Sequence, residues 1–242
     1  MRAVISATCL GLGLSVACMA AEVVTLTNGE YPPYQSEHAP HYGIASHVVS
    51  AAFALEGVTV QYVFLPWKRA YQEAENGRYD GSLVWTIEAS RQQTFHFSDP
   101  VFDGQSVFFQ LKSNPFSWHS FDDLVDSKIG GTLGYTYEFE KDPRIKVERA
   151  RTDVENFRKL LAGRFDLFPS DLQVGYAVLK QNFSAEEIAR ITHNPKVYNS
   201  TTYHLILNRQ HPRNQRLIAV FNRGLQKLRD SGKYAEYFAL PP

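Results

Sequence analysis

The chain has 242 residues, 44% of them hydrophobic, with 25 basic side chains balanced by 25 acidic ones. That apolar content can build one large domain or two of ordinary size. Zero net charge argues against a nucleic acid or an anionic membrane surface as partner.

At the N-terminus, Arg2 precedes an apolar run over 3–17, and the small residues Ala20 and Ala21 precede the first carboxylate, Glu22. This is the layout of a secretory signal peptide over 1–21, with cleavage expected after Ala20 or Ala21 and export to the periplasm. The run is shorter than the ~20 apolar residues a membrane span requires. Cys18 after Ser15-Val16-Ala17 gives a lipoprotein version of the same leader, with serine where leucine is more usual. Cys9 and Cys18 both lie in this segment, so the exported product is expected to have no disulfide and to rely on its core.

Beyond the leader, strands and helices alternate. A β-branched strand over 22–27 ends at Asn28-Gly29, an apolar-faced helix over 43–55 ends near Gly57, and a strand over 58–65 ends at Pro66. A helix over 67–75 and a buried strand over 81–85 follow, then a Thr-led turn from Thr86 and an aromatic segment that stops at Asp99-Pro100. The apolar stretch 101–112 is long for one strand. After Ser113-Asn114-Pro115 a second unit opens: short helices at 121–125 and 136–140, strands at 128–132 and 145–149, a helix over 156–162, and a short strand at 167–168 before Pro169-Ser170-Asp171. A strand over 203–207 then leads to a helix over 215–230, where Leu217, Ile218, Phe221, Leu225 and Leu228 recur at helical spacing, and to a last amphipathic turn at 234–238. Two successive α/β units imply two lobes, and a ligand site outside the carboxyl ends of their strands.

Five motifs fall in one order along the chain: Tyr31-Pro32-Pro33-Tyr34; Pro66-Trp67-Lys68-Arg69-Ala70; Arg91 followed by Phe97-Ser98-Asp99-Pro100; the turn Gly130 to Thr136; and Gly163-Arg164-Phe165-Asp166 followed by Asp171. In these the chain resembles the family 3 bacterial extracellular solute-binding proteins, over essentially the whole exported part. The resemblance implies a two-lobed type II periplasmic-binding-protein fold, each lobe a mostly parallel sheet flanked by helices. Lobe 1 would comprise 22–108 and 203–242, lobe 2 would comprise 113–198, and hinges would lie near 109–112 and 199–202. It also implies a monomer that closes on a small carboxylated solute, an amino acid in the first instance, and hands it to an ABC-type membrane permease. No cofactor or metal is expected.

The resemblance assigns the ligand carboxylate to Arg91, with Thr86 beside it, and to the turn at Tyr135 and Thr136 from the other lobe; it assigns the ammonium group to Asp171. A guanidinium fork suits a carboxylate bidentately, although a surface pair of Arg91 with Glu88 or Asp99 competes with that assignment. Asp171 also suits the cap of a helix starting near Leu172. Tyr31, Tyr34, Trp67, Trp85 and Tyr135 are candidate pocket walls or core aromatics, and Trp85 is bulkier than the residue the family usually carries there. Asn28 stands where receptors for cationic amino acids can carry aspartate, which argues against a basic ligand.

Enzymatic signatures are sparse. The Gly130 to Thr136 turn lacks the Gly-Lys-Ser/Thr ending of a nucleotide loop, no Gly-x-Ser-x-Gly elbow occurs, and His38 and His41 read as surface residues. The basic stretch 144–164, interleaved with Glu148, Asp153 and Glu155, reads as a solvated helix face. Two rival readings stay open: a periplasmic dehydratase acting on a prephenate-like acid, with Glu30 or Asp171 handling the proton, and a sensor that reports closure to a membrane signalling partner.

Overall fold

The computed structural model describes residues 22–239 apart from Gly134 and Thr136, so the expected leader and the expected ligand contact at Thr136 lie outside the described residues. Strand β1 (Glu22–Asn28) runs parallel to β2 (Val58–Phe64), in register from Glu22 opposite Val58 to Asn28 opposite Phe64. On its other side β1 is parallel to β3 (Gly81–Trp85). The crossovers are α1 (Ile44–Ala54), which buries Val48, Val49, Ala52 and Phe53, and α2 (Trp67–Glu75), which buries Ala70 and Ala74. The turn-and-aromatic segment after Thr86 resolves into a short helix, α3 (Ala89–Thr94), and β4 (Phe95–Phe97).

The long stretch is a single strand, β5 (Phe102–Leu111). Beyond it, the helices expected at 121–125 and 136–140 are one-turn 3₁₀ segments, Phe121–Leu124 and Glu138–Lys141. Each is closed by a side chain folding back, as when Asp123 accepts the Ser120 amide at 3.1 Å. Strands β6 (Ile129–Thr132) and β7 (Val147–Ala150) pair in parallel, and α4 (Asp153–Leu161) follows. α4 begins earlier than its apolar periodicity because Thr152 Oγ1 accepts the Glu155 amide at 3.2 Å. Then come β8 (Phe168–Asp171), α5 (Leu172–Asn182), α6 (Ala185–Arg190), β9 (Ile191–His193), β10 (Asn199–Asn208), α7 (Asn214–Asp230) and α8 (Lys233–Phe238).

The main sheet has the order β2-β1-β3-β10-β5-β8, with β4 on β10 and β9 on β5. Strand β10 is antiparallel to β3 through its second half and to β5 through its first, from Asn199 opposite Ser106 to Tyr203 opposite Phe102. Strand β5 in turn pairs with β8 from Ser106 to Phe109. The two strands therefore run side by side from one apolar core to another, which makes the molecule two-lobed. The first core joins Val24, Leu26, Phe53, Leu205, Leu217 and Phe221. The second gathers Val107, Phe109, Phe157, Phe168 and Leu179, next to a third cluster around Phe108, Ile129 and Phe139.

A break in β3 shapes its end. Its register against β10 shifts between His204 and Leu205, and Val84 has φ 66°, a value that a β-branched side chain rarely adopts. Leu83 and Val84 both reach the first core as a result, and Trp85 goes to a separate cluster with Ala74, Phe95 and Ile206.

Candidate functional site

Asp171 ends β8 and caps α5. Its Oδ1 accepts the amides of Gln173 at 3.0 Å and Val174 at 3.1 Å, together with the hydroxyl of Tyr34 at 2.9 Å. The cap expected from the sequence is present. Burial raises the carboxyl above the ordinary range, opposed by those same hydrogen bonds. Asp171 also lines a cavity of about 280 Å³ together with Tyr31, Tyr135, Asp153, Tyr198 and Tyr203. Tyr31 and Tyr203 pack against the first core, whereas Asp171 and Asp153 start α5 and α4.

Arg91 occupies a different concavity. From α3 its Nη1 donates to the Thr86 carbonyl at 3.1 Å and to Thr86 Oγ1 at 2.8 Å, and it pairs with Glu88 at 2.7 Å. The guanidinium stands 5.0 Å over the Trp85 ring and 5.8 Å from that of Tyr71. These residues and Trp67 wall a groove of about 470 Å³. Trp67 and Trp85 meet edge to face at 5.5 Å, with indole N–H groups already donated to Glu30 O and Ser82 Oγ, so these two residues offer a guest their rings and no hydrogen-bond donor.

The residues singled out in the sequence thus divide. Tyr31, Tyr135 and Asp171 line the cavity; Arg91, Trp67 and Trp85 line the groove, with Thr86 bonded to Arg91; Tyr34 is buried and reaches Asp171; Thr136 is not among the described residues. Trp85 walls the groove and takes no part in lining the cavity. Asn28 is fully buried, bonded to Gln35 and Ser46. Glu30 is exposed and accepts the Glu37 amide at 2.8 Å.

Asp153 departs from its sequence reading as part of a solvated face. It is half-buried, its Oδ1 accepts Thr132 Oγ1 at 2.5 Å, and burial raises its carboxyl. The available signal was the Thr152 cap, which fixes the start of α4 and sets Asp153 beside the end of β6. Tyr198 and Tyr203 carried no such signal, because strand pairing with β5 alone brings them to the cavity. Burial also pushes the phenols of Tyr31 and Tyr34 far up, with Tyr203 and Asp171 adding to the effect, so both remain neutral hydrogen-bond donors. Among the described residues no group of three His, Cys, Asp or Glu side chains is placed to hold a metal ion.

The chain is similar in sequence and fold to known proteins. A probable histidine-binding protein of Neisseria gonorrhoeae is 26% identical over 250 residues, covering 96% of this chain and 90% of that one. Among solved structures, the second substrate-binding domain of Lactococcus lactis GlnP, in an open conformation, aligns with a TM-score of 0.71 at 21% identity, over 89% of this chain and 93% of the other. An ancestral cationic amino acid solute-binding protein aligns with a TM-score of 0.68 at 22% identity, with the same coverage. The family model for bacterial extracellular solute-binding proteins, family 3, matches residues 23–239. The fold is that of the type II periplasmic binding proteins, and the chain belongs to the bacterial extracellular solute-binding proteins, family 3.

Proposed function

We propose that the protein is a periplasmic receptor for a small amino acid, exported by its 1–21 leader, which closes around the solute as a monomer and presents it to an ABC-type permease. The observation that carries this reading is Asp171, a half-buried carboxylate in a cavity walled by residues that pack on both cores. Asp171 takes the ammonium group, and the Arg91–Thr86 pair takes the carboxylate once the ligand displaces Glu88. The pivot is the β5–β10 pair near 103–106 and 199–202. It lies earlier along β5 than the hinge expected at 109–112, because Val107, Phe108 and Phe109 are committed to the second lobe's clusters. Ligand binding favours the closed form through contacts that exist only there.

A thermal-shift screen of amino acids and organic acids tests the reading. At 100 times its Kd the true ligand is expected to raise the melting midpoint by about 5–10 °C. Arg91→Ala is expected to weaken that ligand about 30- to 100-fold. A library without a hit, or an Arg91→Ala protein that binds as tightly as wild type, overturns the assignment. The raised Asp171 carboxyl also keeps the dehydratase reading open, and consumption of a hit, followed by mass spectrometry, would replace the receptor with an enzyme.

A further inference from the structure

Three carboxylates, Asp171, Asp153 and Glu138, line the cavity, and among its described lining residues there is no lysine, arginine or histidine. Some acids elsewhere in the fold meet a cation, as where Arg213 reaches Asp80 at 2.7 Å and Arg149 reaches Glu140 at 2.6 Å, while half-buried Glu75, Asp166 and Glu187 have no ion pair among the described residues. Neither Asp171 nor Asp153 has an ion pair among the described residues. Glu138 is half-exposed and meets Lys141 only at 4.0 Å. Leaving two partly desolvated carboxylates without a counter-charge is costly, so the empty receptor favours their protonated forms and a cation from outside the chain would restore the charged ones.

The walls suit the same visitor. Five lining residues are tyrosines, Tyr31, Tyr135, Tyr137, Tyr198 and Tyr203. Burial raises each phenol, which keeps the rings neutral, and a neutral phenol face attracts an ammonium or guanidinium group. Thr132 engages one oxygen of Asp153, and the other accepts no hydrogen bond among the described residues. The space of about 280 Å³ equals about nine water molecules, room for a ligand with roughly as many heavy atoms.

We propose that the receptor selects a ligand bearing two cationic groups, one held at Asp171 and the second at Asp153 inside the tyrosine walls. This rests on the receptor reading and names its substrate class; Asp153 becomes the residue that sets specificity, with Glu138 guiding the cation at the rim.

Isothermal titration of the full exported chain decides it, with four probes: lysine and arginine (two cationic groups and a carboxylate), 1,4-diaminobutane (two cationic groups, no carboxylate) and glutamine (one cationic group). Lysine or arginine is expected to bind at least about thirtyfold tighter than glutamine, and Asp153→Asn to abolish that preference. The wild-type preference is read without any variant, so a poorly folding Asp153→Asn protein leaves the test intact. Glutamine binding as tightly as lysine and arginine overturns the two-cation inference and spares the receptor reading. Diaminobutane binding as tightly as lysine supports the inference and overturns the Arg91 carboxylate clamp. No binding by any probe overturns the inference, and the wider amino-acid screen then decides the receptor reading separately.

Discussion

Asp171 has two duties that pull on its charge in opposite directions. As the cap of α5 and acceptor from Tyr34 it gains from being ionised, but burial works against ionisation and wins, since the carboxyl lies above its ordinary range. A group whose folded pKa exceeds its unfolded value contributes stability that is present below the unfolded value and is lost as pH rises through the folded one. The unliganded receptor is therefore expected to gain stability from Asp171→Asn at pH 7, where the charge is removed and an acceptor for Tyr34 and the cap remains. The gain should shrink on going down through the carboxylate range, where wild-type Asp171 takes up its proton. Thermal melts of both proteins across that range check this, and an equal difference at every pH would remove the buried charge from the account. Asp171 was legible from the sequence because it directly follows a strand-ending turn. Asp153 was hidden by its neighbours, because a charge set among Glu148, Arg151 and Glu155 looks solvated until the fold turns it onto Thr132.

Elements built on apolar periodicity were read within a residue or two, as with α2 and α7, whose buried positions repeat at the spacing their backbones impose. Short ones were not. α3 has six residues, none buried, and its position is set by the strands on either side of it; α6 likewise buries nothing and starts at a Ser184–Glu187 capping box. The packing of α1 on α7 shows what periodicity leaves unstated. Gly224 lies so close to α1 that an added Cβ would stand 1.9 Å from the Ala52 carbonyl oxygen, a backbone atom that cannot swing aside. Gly224→Ala is expected to cost about 1–3 kcal/mol even though alanine is the better helix former. Urea unfolding should register it as a lower midpoint at unchanged slope; an unaltered midpoint would mean that the two helices can separate freely.

In the whole molecule, two cores share one sheet, and the alternation of strands and helices foretold that pairing of lobes. It could not foretell how the connections lie, because the register of β5 against β10 is decided by residues about a hundred positions apart: Asp103 opposite Thr202, Phe102 opposite Tyr203. Cross-strand partners that far apart in sequence have a genealogical meaning. Everything from Gly104 to Thr201 enters and leaves through adjacent positions, so the second lobe is topologically a graft set into the tip of a hairpin. Replacing 104–201 with Asn-Gly would join Asp103 to Thr202 through a two-residue turn of the type that antiparallel pairs favour. The shortened chain keeps the Arg91 groove and the first core and loses the Asp171 cavity. It is expected to unfold as one cooperative unit, and a chain that stays disordered in circular dichroism would mean that the host cannot stand without its graft.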